Sequence, residues 1–222
     1  MTTGTPERIV VGPVALRRCA LNKGHSRTLG WVTGSIPDRH FGDTPVALPI
    51  AGGQNRPVTV ERCDQCGFDG EDWDDATAIE AVVGLPARWV EAVSGVTRND
   101  SRRRPVADMW SIAEYADHVR EVLFGMRFLL DTAVARPGVD LGKAPEPRFE
   151  REPRFIEVGS ALAGIDREAT SLRDRLSELP PSGWNSVVIV DGNEVDPHWI
   201  VRHAVHDATH HLLDVERLRG DL

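Results

Sequence analysis

With 222 residues, 41% of them hydrophobic, and a formal net charge of −8, the chain is long enough to bury one helical or mixed domain plus a small appendage. No stretch approaches the roughly 18 uncharged apolar residues of a membrane span, and the opening "MTTGTPERIVVGPVALRRC" has no basic start, apolar core and cleavage site of a secretory signal, so a cytoplasmic location without a membrane partner is expected. Met1–Cys66 carries 8 Lys+Arg against 5 Asp+Glu, net +3, which leaves −11 for the rest, so the bulk of the protein repels a phosphate backbone and only its N-terminal part offers nucleic acid a contact.

Residues 1–70 are rich in Gly, Pro and Thr, with short β-branched runs at Ile9–Val11 and Val58–Val60. No helical period fits them, so a small module of loops and short strands is expected. The three cysteines, Cys19, Cys63 and Cys66, are an odd number and too few for a disulfide scaffold. Two of them form "CDQCGF", the C-x2-C-G turn of a zinc knuckle, in which glycine lets backbone amides approach the sulfurs. Cys19 and His25, with His40 behind it, are the candidates to complete a structural zinc site. The long interval from Cys19 to Cys63 leaves free cysteines or a reversible Cys63–Cys66 disulfide as alternatives. Zinc there would stand in for a core that this half cannot build.

Residues 71–222 change character to four long segments of helical periodicity. The first, 74–95, contains Pro86 and is expected to kink or restart there. The second starts at a capping box of Ser111 and Glu114 and ends near Ala135, with an apolar stripe from Tyr115 to Leu130. A connection of about 18 residues follows, long enough to run the length of a bundle and leave helices two and three parallel. The third, 154–179, carries Phe155, Val158, Leu162, Ile165, Ala169, Leu172, Leu176 and Leu179 at steps of three and four. Asp191-Gly192 marks a small hairpin or irregular crossover, and the fourth helix begins with Asp196 as cap and Pro197 at its first position, ending near Arg219.

Within that last helix, the stretch Trp199–Val215 holds four of the eight histidines: His203, His206, His210 and His211. His206 and His210 are four apart and can converge on one ion through neutral imidazoles, while a third ligand has to come from elsewhere. His118, beside the apolar stripe of helix two, is the candidate. His203 and His211 are expected to be supporting or surface residues, because position 211 points about 100° away from 210. A pH-responsive or purely structural role for the cluster is the competing reading.

"WSIAEYADHVREVL", followed about 90 residues later by "HDATHHLLDV", resembles the DinB-like proteins over residues 63–222. This four-helix-bundle superfamily includes thiol-dependent S-transferases and mycothiol-dependent maleylpyruvate isomerases. The resemblance implies an up-down-down-up bundle and a metal held by His118, His206 and His210. "CDQCGFDG" is similar to an N-terminal feature of a DinB-like subgroup found in actinobacteria, where mycothiol is the resident thiol. The basic residues are almost all arginine, with only Lys23 and Lys143 as lysines, a bias of high-GC genomes.

Three protein ligands leave coordination positions open, the mark of a catalytic metal. A divalent ion lowers the pKa of bound water and deprotonates a coordinated thiol, so no protein nucleophile is required. Glu114, Asp207 and Asp214 are candidates to orient the imidazoles; the capping box and solvated helix surface are their competing roles. Arg120 and Arg202 are candidates to contact an anionic substrate or cosubstrate. The expectation is thus a metal-dependent enzyme with zinc, nickel, iron or manganese at the histidines, acting on a small molecule as a thiol S-transferase or isomerase. Hydrolase is the enzymatic alternative, and a non-catalytic metal or stress-response protein whose N-terminal module contacts nucleic acid or a partner is the alternative of another class. A homodimer is left open.

Overall fold

A computed structural model describes residues 60–107, 109–143 and 154–220. Cys19, His25 and His40 lie outside these described residues, as does most of the expected module at 1–70.

The described part opens with a minimal antiparallel hairpin, β1 (Arg62–Cys63) and β2 (Phe68–Asp69), closed by the "CDQCG" turn. Gly67 takes φ +74°, where a side chain would be strained, and its amide donates to the Cys63 carbonyl at 2.8 Å. Phe68 is buried in the same core as the helices, so residues 60–73 are packed on the bundle.

Helix α1 (Asp75–Ala92) is capped by Asp74, which accepts from the Thr77 amide at 2.7 Å. It runs on as one helix through Pro86, where a kink or restart is expected from sequence, so no restart occurs there. Leu85 and Trp89 on either side of the proline are fully buried. Their burial, at about 1.5–3 kcal/mol for each large apolar side chain, outweighs one missing backbone hydrogen bond. A short helix not read from sequence, α2 (Arg98–Arg102), follows with Thr97 as its cap.

Helix α3 (Ile112–Ala135) begins at the expected capping box, with both reciprocal Ser111–Glu114 bonds formed. Helix α4 (Val158–Ser177) starts later than its periodicity suggests. Phe155 consequently falls outside it and is 96% exposed, not part of the packing seam. The chain there is held extended by Glu157, which pairs with Arg98 and Arg102 of α2. Strands β3 (Val188–Val190) and β4 (Asn193–Val195) form the expected hairpin, with Asp191 and Gly192 both at positive φ, as a two-residue turn of this kind demands. Helix α5 (Pro197–Gly220) follows its Asp196 cap, which accepts from the Trp199 amide at 2.7 Å.

The four long helices form a ring in which α1 and α3 each touch both α4 and α5. Side-chain pairings fix their directions. Asp75–His198, Arg88–Thr209 and Ala92–Arg219 ascend together, so α1 and α5 are parallel. Glu114–Arg154, Arg127–Glu168 and Asp131–Arg175 do the same along the α4 side of α3, so the segment containing α4 is parallel to α3. Tyr115 meets His211 while His118 meets Asp207, which makes α3 antiparallel to α5. The order is therefore up, down, down, up, and the long connection after α3 is what a parallel neighbour requires.

Helices α3 and α4 approach closely at Gly164. A Cβ there would lie 2.7 Å from Arg120 Cγ and still closer to Cδ. Gly164→Ala should gain about 1 kcal/mol of helix propensity but lose more by displacing Arg120 from Asp117 and Glu121, a net loss of about 1–2 kcal/mol. Urea denaturation checks this, and the Arg120→Ala background should turn the same substitution into a gain.

Candidate metal centre

Helix α5 presents its histidines in two directions. Side chains four apart share a face, and a step of one residue turns about 100°. His206 and His210 face the β1–β2 hairpin. Asp207 and His211, each one residue further on, face α3. The ligand atoms of Cys63, Cys66, His206 and His210 all lie within 4.8 Å of one another. His118, Asp207 and His211 form a separate group by the same measure, and no such group among the described residues brings His118 to His206 and His210. The expected trio is thus divided by tertiary structure: its α5 pair turns to the hairpin, while His118 meets the neighbouring pair.

In the α3–α5 group, His118 Nε2 lies 3.4 Å from Asp207 Oδ1, and His211 Nε2 lies 3.8 Å from the same oxygen. The imidazoles of His118 and His211 are nearly perpendicular, with ring centres 4.9 Å apart. Asp214 holds the other side of His211, accepting from Nδ1 at 2.9 Å, which aims Nε2 at Asp207 and His118. Both nitrogens of His118 and Oδ1 of Asp207 are buried without a hydrogen-bond partner among the described residues. Leaving such atoms unsatisfied is costly, and a cation between His118 Nε2 and Asp207 Oδ1 would satisfy one nitrogen and the carboxylate oxygen together. Burial pushes the His118 pKa below its ordinary value, against the attraction of Asp207. Burial also penalises the Asp207 carboxylate, but His118 and His211 overcome this and hold its pKa far down. Two imidazoles and one carboxylate are a common donor set for a divalent metal, with further positions open.

Half-buried Trp110 and Tyr115 wall this group, with Trp110 4.9 Å from the His118 ring and Tyr115 5.1 Å from the His211 ring.

The other expected site residues have definite places. Asp214 orients His211 as a supporting carboxylate should. Asp207 stands among the candidate ligands themselves, and His211 is one of them instead of a surface residue. Glu114 does not face the histidines: it completes the capping box and pairs with buried Arg104. Arg120 pairs with Asp117 at 2.6 Å, and Arg202 donates to the Trp73 carbonyl at 2.9 Å, so both serve the packing of the fold. His203 is buried, stacked on Trp199 at 4.4 Å and 3.0 Å from Glu61. Glu61 was not singled out by the sequence pattern. It reaches both His203 and His206, and the one available signal was its place two residues before the C-x2-C turn.

A four-helix bundle with buried, convergent imidazoles between facing helices is an arrangement that can hold a metal ion. The DinB superfamily profile matches residues 81–215, and the chain belongs to that superfamily. The fold is similar to that of YfiT from Bacillus subtilis, described as a probable metal-dependent hydrolase with an unusual four-helix bundle topology. The TM-score is 0.53 at 12% sequence identity, over 67% of this chain and 90% of that one. No curated protein matches the chain. No helix among the described residues is long and apolar enough to cross a membrane.

Proposed function

We propose that the protein is a metal-dependent enzyme that holds a divalent ion on His118, Asp207 and His211. It would activate a low-molecular-weight thiol of the mycothiol type for attack on an electrophilic small molecule, as a transferase or isomerase. The observation that carries this reading is the convergence of two imidazoles and a carboxylate whose ligand atoms include buried, unpartnered ones. When bound, a divalent ion at such a site polarises an electrophile or lowers the pKa of a coordinated water or thiol to near neutrality.

The chain's own residues divide the remaining work. Asp207 supplies the negative charge that draws a cation into a buried position. Asp214 fixes the His211 ring through its hydrogen bond. Trp110 and Tyr115 give the site an apolar wall on which the body of a substrate can rest and which keeps bulk water from that side. Cys63 and Cys66 are grouped with His206 and His210 and not with His118, so a thiol for this chemistry has to enter as cosubstrate. Zinc, nickel, iron and manganese all suit two nitrogens and one oxygen.

The test loads the full chain with each of these metals and incubates it with mycothiol and a panel of electrophiles. A parallel series offers esters and amides without thiol, because the description of YfiT favours a hydrolase as the second reading. Thiol-dependent, metal-dependent product is expected. Turnover of the esters or amides alone would assign hydrolysis instead. Absence of turnover in both series, with no thiol-induced change in the metal's spectrum, would overturn the enzyme reading.

A further inference from the structure

The pair of cysteines and the α5 histidines that face them are not used by the proposed reaction, and their geometry has its own consequence. The hairpin turn brings Cys63 and Cys66 onto one side of α5. Cys63 Sγ lies 3.6 Å from His210 Nδ1, and all four ligand atoms lie within 4.8 Å of one another. With zinc–sulfur bonds of about 2.3 Å and zinc–nitrogen bonds of about 2.0–2.1 Å, a tetrahedral site has a sulfur–nitrogen edge of about 3.6 Å. The donors therefore stand near the separation a zinc ion imposes.

The supporting residues point the same way. His206 Nδ1 lies 2.9 Å from Glu61 Oε1, which leaves Nε2 for the sulfurs. His210 Nε2 lies 3.8 Å from Asp214 Oδ2, which leaves Nδ1 for the sulfurs. Each ligating nitrogen is thus backed by a carboxylate near the other nitrogen of the same ring, the usual support for a zinc-bound imidazole. Two thiolates and two neutral imidazoles leave a bound zinc ion without net charge, which suits a half-buried position.

We infer that Cys63, Cys66, His206 and His210 form a second, closed zinc site, structural and distinct from the α3–α5 group, which clips the β1–β2 hairpin onto helix α5. All four positions are filled by protein, so no substrate has a place on the ion. Phe68, stacked on His206 at 4.5 Å, shields it from one side. Because positions 206 and 210 alternate with 207 and 211, the clip also sets the rotation of α5 and thereby the aim of Asp207 and His211 at His118. The site needs neither Cys19 nor His25.

Cobalt-reconstituted full-length protein tests this. Two equivalents should bind, with sulfur-to-cobalt charge-transfer absorption. That absorption should vanish together with one equivalent in His210→Gln and in Cys66→Ser, and should persist in His118→Gln, where a failure of the enzyme reading alone would leave it untouched. Charge transfer that survives both His206→Gln and His210→Gln but disappears in Cys19→Ser would overturn the assignment. Because a cysteine variant can fail to fold, alkylation of the wild type gives an independent readout. Zinc should protect Cys63 and Cys66 but not Cys19, and a chelator should expose them. Equal labelling of Cys63 and Cys66 with and without zinc would also overturn it.

Discussion

Asp207→Asn should empty the α3–α5 site and abolish metal-dependent turnover while leaving the bundle folded. Asparagine keeps the size of the side chain but removes the charge that two imidazoles alone cannot replace. The loss of metal affinity should exceed the roughly 10–100-fold typical of removing a supporting partner. Asp214→Asn should fall within that smaller range, because Asp214 aims His211 through Nδ1 without sharing the ion of the α3–α5 group. Metal titration of the two variants, followed by calorimetry, reads this order directly. An Asp207→Asn protein that binds metal as tightly as wild type would show that the ion is not held there.

The opposite pattern is expected at Glu114, which the sequence offered as a candidate support for the metal. Glu114→Ala should lower stability by about 3–5 kcal/mol, since it strands the buried Arg104 guanidinium and removes half of the capping box. That is a large share of the roughly 5–15 kcal/mol that holds a typical domain together. Metal affinity of the folded protein should hardly change. The effect has a pH signature with a definite sign. Burial raises the pKa of Glu114, but Arg104 and the amides of Ser111 and Arg154 outweigh it and hold the carboxyl below its ordinary value in the folded state. A carboxylate depressed on folding contributes stability that is present above its unfolded pKa and lost as pH falls through the folded one. Wild type should therefore lose stability on acidification across that interval, and Glu114→Gln should lose less over the same range. Urea midpoints at a series of pH values measure both. If Glu114→Ala is as stable as wild type and instead fails to bind metal, the carboxylate belongs to the metal site after all.

These two carboxylates show where sequence reasoning reached and where it stopped. Spacing of three between Ser111 and Glu114 carries a local cause, the reciprocal bonds of a capping box, and so did the Asp196-Pro197 start of α5 and the Asp191-Gly192 turn. Each depends on neighbours within a few residues, which is why the order of the bundle helices and their caps was legible from the chain. Pro86 and Phe155 were less so. The first is overruled by Leu85 and Trp89 in the core, and the second is stripped of its helix by a carboxylate held across space by α2.

The sequence by itself determined that α5 carries candidate donors in overlapping series at a step of four, 206 with 210 and 207 with 211 among them, because a helix of 3.6 residues per turn puts residues four apart on one face. It also determined that position 211 points away from 210. Only the tertiary structure decided what each series meets. The rotation of α5 about its axis is set by burial of Ile200, Val201, Ala204, Val205 and Ala208 against the other helices and by Phe68 against His206. A turn of about 100° exchanges the partners of the two series. Packing across the bundle therefore delivered His118 to Asp207 and His211, and gave the C-x2-C turn a pair of histidines nearly 150 residues away in the chain.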